Sequence, residues 1–425
     1  MKVKSSDKSI YYILGAYLLL VLVLFGLQSF SKKKKEVIIV PEVEQITELD
    51  GLQISFKEKH YKKLKEKRNK ALADGILETS DNDYVPTIIT FNGKDYKADL
   101  RLKGDWTDHL EGDKWSFRIK LKDDQTIFGM RKFSIHHPKT RGYVNEWLYH
   151  QANKAEDLMG LRYNFAEGFM HINLKDSDSI INKNLGIYAF EETFDKRTIE
   201  SNRRKAGVIL RISEQYFWKE VKQAWKIQKQ TSFSPQAKRK PMFSGPGQEY
   251  VTTFGLKKIL ANESLNKQFM HAKNLLEAYR NLELPSSQVF DADKLALHTA
   301  LNNLFGGYHG LAAINLRFYY NPTTSKLEPI SYDGNSGQKL DKFHHYLYTN
   351  RNMDPVYKDA LIKALEKISQ PEYLEKLYIK TNKEALNYEA ILKTEFKNAA
   401  LIKREHYEHN QAILKKELIR LKNED

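Results

Sequence analysis

The chain has 425 residues, 41% of them hydrophobic, with a formal net charge of +15 and no cysteine. This length suffices for one large domain or two ordinary ones, and the apolar content lies in the globular range and excludes a disordered chain. The lack of cysteine excludes disulfides and thiolate chemistry, while the basic balance suits polyanions such as nucleotides, phosphorylated substrates, acidic glycans, anionic lipid or nucleic acid without choosing among them.

Residues 10–30 form one apolar run. At about 1.5 Å per residue such a run spans a bilayer core of about 30 Å, and no small-residue cleavage site follows it, so residues 1–35 are expected to be an uncleaved single-pass membrane anchor. Lys2, Lys4 and Lys8 precede the run and Lys32, Lys33, Lys34 and Lys35 follow it, so the positive-inside rule is nearly balanced. The reading leans towards an outward-facing body.

Residues 36–83 read as a linker and a charged first helix over residues 56–73, whose Lys and Arg are most simply a solvated face. Alternation predicts a strand over residues 84–91, a hairpin turn at Asn92-Gly93 and a second strand over 94–102. A loop bearing Gly104 and Gly112 leads into another strand, with Arg118 and Lys120 on one face and Lys114 with them if the strand starts that early. Such a loop can approach phosphates through backbone N–H groups, or be an ordinary basic hairpin. A strand over 127–137 precedes a helix over 143–158, where Val144, Trp147, Leu148 and Ala152 repeat at core spacing and Glu146 and Glu156 are the carboxylates. Strands over 165–174 and 185–191 follow, the second ending in Glu191-Glu192-Thr193, and a short strand covers 208–213.

Residues 225–250 read as a basic surface insertion. Helical patterns cover 253–283 and 291–304, the latter N-capped by Asp291. A Gly-rich turn, a strand, a hairpin and another strand then occupy residues 304–337. Asn315 falls where the first of these strands begins, and Asp333 and Asn335 where the second ends, in a turn marked by Gly334 and Gly337. Three oxygen-bearing side chains at adjacent strand ends suit a hard cation such as Mg2+; Asp, Asn and Gly also make ordinary turns. Residues 355–421 are helical and charged, with stripes at Leu361, Leu365, Ile368 and at Leu414, Leu418, Leu421, read as a helical lobe packed on the body or a coiled-coil dimer.

The order of these pieces resembles the spore-coat protein H kinase family, the CotH-like atypical protein kinases. The resemblance rests on Tyr96-Lys-Ala-Asp-Leu-Arg-Leu-Lys-Gly104, Asp113-Lys-Trp-Ser-Phe-Arg-Ile-Lys120, Phe169-Met-His-Ile-Asn-Leu174, Gly186-Ile-Tyr-Ala-Phe-Glu191 and Pro329-Ile-Ser-Tyr-Asp333 in colinear order. It implies an α+β fold: a two-lobed atypical protein-kinase-like domain over residues 84–340, with an N-terminal transmembrane helix and a helical C-terminal extension over 341–425. It also implies a bacterial cell-envelope location, ATP with Mg2+ or Mn2+, and transfer of the γ-phosphoryl group to a protein or glycan hydroxyl. In that scheme the Gly104 loop covers the phosphates and Lys114 pairs with them, with Glu146, or its competitor Glu156, as the partner of Lys114. Glu191, Glu192 and Thr193 form the adenine-facing hinge. Asn315, Asp333 and Asn335 hold the metal.

Three positions depart from the family pattern. Asp105, Trp106 and Thr107 replace an Asn-Ser-Ser run, His309 stands where an Asp should orient the acceptor hydroxyl, and the second carboxylate of the Trp-Asp-x-Asp element is the amide of Asn335. The alternative is therefore a catalytically inactive scaffold in envelope or exopolysaccharide assembly. Nucleic acid is not expected as a partner, since no recognisable motif accompanies the charge.

Overall fold

Alternating hydrophobicity in the first half of the chain needs a surface to close on, and it closes on itself. The computed structural model describes residues 48–174, 180–231, 249–346, 349 and 353–424. It begins with β1 (Gly51–Lys57) and α1 (Glu58–Asp74), followed by β2 (Val85–Phe91), β3 (Lys94–Leu102), β4 (Phe117–Leu121) and β5 (Lys132–His136). Then come α2 (Val144–Ala155), β6 (Tyr163–Asn173) and β7 (Ile180–Glu192). These strands form a closed barrel in the order β1-β2-β3-β4-β5-β7-β6. One parallel pairing makes the closure: β1 lies beside β6 from Gly51↔Glu167 to Lys57↔Asn173. Every second side chain points inward, so Leu52, Ile54, Ile89, Leu100, Phe117, Ile119, Phe133, Ile135 and Phe190 fill the interior. A barrel of this size is packed solid by such side chains, which leaves its ends and outer face for chemistry.

The second half builds a four-stranded sheet in the order β11-β10-β8-β9. Its elements are β8 (Ile209–Ile212), α3 (Gln215–Thr231), β9 (Val251–Thr253), α4 (Glu263–Arg280), α5 (Ala292–Leu304), β10 (Arg317–Asn321) and β11 (Lys326–Pro329). The chain ends in α6 (Pro355–Ile368), α7 (Pro371–Phe396) and α8 (Arg404–Lys422). Leu361, Leu365 and Ile368 of α6 and Tyr407, Leu414 and Leu421 of α8 share one hydrophobic core with Leu295 and Leu301 of α5 and with Trp147 and Leu148 of α2. Residues 46–425 make one compact unit.

The expected two-lobed kinase-like fold is overturned by this architecture. The strands assigned by that reading to one lobe are a closed barrel, and a separate sheet with helices completes the body. The cause is β1: Gly51–Lys57 reads by composition as linker and helix start, yet Leu52, Ile54 and Phe56 alternate and pair on both sides, with β2 and β6. The expected transmembrane helix, residues 10–30, lies outside the described residues, and among the described residues no helix is long and apolar enough to cross a membrane. Of the expected basic insertion, the start is α3, which runs to Thr231, and residues 232–248 lie outside the described residues.

Candidate functional site

Period two along β7 builds the first part of the site. Tyr188 and Phe190 join the barrel interior, while Ile187 and Ala189 join the core shared with the helices. Glu191 continues this second face and is only 2% exposed. A lone buried carboxylate would be costly; here two cations meet it. Lys103, one residue past β3, places Nζ 2.8 Å from Glu191 Oε2, and Arg141 donates from Nε to Oε1 at 3.0 Å. Arg141 lies in the short turn Pro138–Arg141 before α2. Its other edge reaches the second half of the chain, with Nη1 2.9 Å from Asp333 Oδ1.

Asp333 follows β11 in a turn held under strain, with φ of +52° at Asp333 and +51° at Asn335. Such values are uncommon outside glycine and persist only where the surroundings impose them. Glu146, fully buried in the first turn of α2, imposes them by accepting the backbone N–H of Gly334 and of Ser336, each at 3.0 Å. Gly142 lets the two loops meet: with φ of +75°, a Cβ there would lie 2.1 Å from the Ser336 carbonyl oxygen. His309, in the short turn Tyr308–Leu311, completes the group. Its Nδ1 lies 2.9 Å from the Asp333 carbonyl oxygen and 3.3 Å from Oδ1. Asn315 steadies it by donating from Nδ2 to the His309 carbonyl at 3.0 Å.

The electrostatics follow from this packing. Burial works against a charged Glu191, but Lys103 and then Arg141 outweigh it and hold the carboxyl well below its usual range. Burial also works against Asp333, and Arg141 with His309 brings it down to about 2. Burial lowers Lys103 to about 8 despite Glu191. The hydrogen bond to Asp333 raises His309 above 6.5, whereas burial lowers the neighbouring His109 to about 3 and His136 well below its ordinary value. His309 is thus the imidazole of this cluster whose surroundings favour protonation, while those of His109 and His136 oppose it. Nδ1 also lies 3.1 Å from Asn315 Nδ2; in the tautomer that donates from Nδ1 to Asp333, Nε2 is the nitrogen left to accept a proton, and the side chain is half exposed.

The structure brings Glu191, His309, Asn315 and Asp333 together, puts Glu146 and Asn335 in the support of the Asp333 turn, and gives Gly104, Lys114, Glu192 and Thr193 other surroundings. Lys114 pairs with Glu395 of α7 at 2.5 Å and donates to the Ile187 carbonyl at 3.0 Å, and neither Glu146 nor Glu156 is its partner. Glu156 pairs with Lys367, and Glu146 anchors the Asp333 turn. The space beside Gly104 is filled by the His109 ring, since a Cβ would meet it at 2.5 Å. Glu192 binds Arg162 at 2.5 Å, and the Thr193 N–H bonds to the Lys132 carbonyl at 3.1 Å. Asn335 contributes its carbonyl, which accepts from Gln338 at 3.4 Å.

Two members of the cluster, Lys103 and Arg141, are missed by sequence reasoning. Lys103 adjoins Gly104, so its place at a strand end was visible; Arg141 sits in a turn whose neighbours only the fold supplies. As arranged, the expected metal set does not fit Mg2+. Asp333 Oδ1 already faces a guanidinium, Asn315 turns its amide N–H to a carbonyl, and among the described residues no three His, Asp or Glu are grouped to hold a metal. No protein-family model matches the chain, and a search of curated proteins finds no match to it.

Proposed function

We propose that this cluster binds a phosphate-bearing ligand and transfers a phosphoryl group, with ATP as the donor and a protein or glycan hydroxyl as the acceptor. The observation that carries the reading is the His309–Asp333 pair beside two buried cations. His309 Nε2 would take the acceptor hydroxyl proton as the oxygen attacks the γ-phosphorus. The bond from that phosphorus to the bridging oxygen breaks and ADP departs. Lys103 and Arg141 would neutralise charge on the phosphoryl oxygens, the main requirement of this chemistry. The resemblance to CotH-like kinases supports the same reaction class.

The alternative, a non-catalytic binding protein, draws on the Arg141–Asp333 contact, because a carboxylate neutralised by a guanidinium is a poor cation ligand. Calorimetric titration of ATP into the protein, with and without Mg2+ or Mn2+, beside transfer assays on D333A and H309Q, separates the two. ATP turnover lost in both variants supports transfer. ATP binding without turnover supports the binding protein. A folded protein that binds no ATP overturns transfer and leaves a scaffold whose ligands are envelope proteins or glycans.

A further inference from the structure

Two pairs of like charges lie directly across strands beside the site. Arg101 of β3 faces Arg118 of β4 on the outside of the barrel, and Arg317 of β10 faces Arg211 of β8 on the second sheet. Like charges directly opposite one another destabilise a ladder, so two such pairs on two sheets need a reason.

The loop after β3 and the helix after β8 bring the pairs to one place. The rings of Trp106 and Trp218 meet edge to face at 5.1 Å, and Glu214, which bonds the Trp218 indole N–H at 3.1 Å, reaches Arg317 Nη2 at 3.4 Å. Three of the guanidiniums lie over aromatic rings: Arg101 at 5.4 Å over Tyr84, Arg211 at 5.1 Å over Phe254 and Arg317 at 4.9 Å over Tyr332, the residue before Asp333. A guanidinium over a ring keeps its N–H edge for hydrogen bonds; Arg317 Nη1 gives its edge to the Ile314 and Leu316 carbonyls at 2.7 and 2.9 Å, and Arg101 Nη1 donates to the Leu102 carbonyl at 2.9 Å. The Nε atoms of Arg118, Arg211 and Arg317 are buried with no hydrogen-bond partner among the described residues, and a buried donor left unpaired is unfavourable.

The carboxylates nearby do not balance the charge. Asp105 and Glu214 stand among four arginines, and burial followed by Glu214 lifts Asp105 to about 6, so part of its charge is lost near neutral pH. Burial followed by Arg118 lowers Arg101, and burial followed by Arg317 lowers Arg211, with Arg118 adding to the effect from the barrel side.

We propose that Arg101, Arg118, Arg211 and Arg317 form an oligophosphate subsite, in which guanidinium N–H groups from the barrel and from the second sheet grip the non-reacting phosphoryl groups of a ligand. Forked N–H donors match phosphate oxygens bidentately, and a chain of phosphoryl groups offers such donors more oxygens than an isolated phosphate does. The subsite stands on its own residues; only its service to the Asp333 cluster rests on the transfer reading above.

The test is titration of tripolyphosphate and of inorganic phosphate, without nucleotide, into the full chain and into R118Q, R211Q, R211K and D333N, with near-ultraviolet circular dichroism to verify folding. The wild type should bind tripolyphosphate at least tenfold more tightly than phosphate. R118Q and R211Q should each lose about tenfold, R211K should recover part of the loss, and D333N should bind at least as well as the wild type. Wild-type affinity in folded R118Q and R211Q, or no tripolyphosphate binding by the wild type, would overturn the subsite. Tripolyphosphate binding lost in R211Q but unaccompanied by ATP turnover would sink the transfer reading and leave the subsite standing.

Discussion

Glu191, nearly sealed from water, is stable as an anion only because Lys103 and Arg141 meet both of its oxygens. Breaking a buried pair leaves an uncompensated charge and costs about 3–5 kcal/mol. Lys103→Met should therefore destabilise the protein by about 3 kcal/mol, read from urea unfolding; a loss below about 1 kcal/mol would mean that Arg141 alone suffices. The His309–Asp333 pair makes a pH prediction. His309 has a raised folded pKa, so its bond to Asp333 contributes stability fully below about 6.5 that is lost as pH rises through the raised value. Asp333 has a depressed pKa, so its contribution is present above 3.8 and fades as pH falls through about 2. Proton acceptance needs neutral His309, so transfer should fall as pH drops through that raised pKa. D333N should shift this limb to lower pH in a pH–rate profile, and an unmoved limb would assign the base elsewhere.

At the scale of elements, α2 acts as a clamp. Its first turn offers Glu146 to two N–H groups of the Asp333 turn, and burial raises this carboxyl to about 7 against the pull of the Ser336 N–H. E146A would leave two buried donors unpaired and should cost about 3 kcal/mol. E146Q, which keeps an acceptor oxygen, should cost less. Thermal unfolding ranks the two, and equal losses would show that charge rather than hydrogen bonding holds the turn. Gly142→Ala should destabilise as well, because its φ is left-handed and a carbonyl oxygen occupies the Cβ position.

Across the whole molecule, the C-terminal helices belong to the main core. Tyr407 and Leu414 of α8 are fully buried, and the Tyr407 hydroxyl bonds Asn145 Oδ1 in α2 at 2.5 Å. Asn145 also receives the Lys403 N–H at 2.9 Å. Leu414→Ala should cost about 2–5 kcal/mol, as for other buried leucines. It should lower the unfolding midpoint of the whole body in one transition seen alike by tryptophan fluorescence and circular dichroism; two separated transitions would show that α8 melts by itself.

The sequence by itself determined what depends on neighbours along the chain. Period-two alternation with Asn92-Gly93 specified the β2–β3 hairpin, helical spacing specified α2 and α5, and the Asp333-Gly334-Asn335 turn marked one half of the site. The length and apolarity of residues 10–30 are likewise properties of sequence alone. Tertiary structure decided what depends on distant pairing. β1 became a strand because β2 and β6 supply its partners, and its parallel pairing with β6 closes the barrel. Lys103 rather than Lys114 faces Glu191 because strand end and strand register, not residue type, set which cation is buried. Arg141 joins Glu191 to Asp333 across the chain, a contact between residues 192 positions apart that no local pattern encodes, because charge attraction acts through space while periodicity acts only along the backbone.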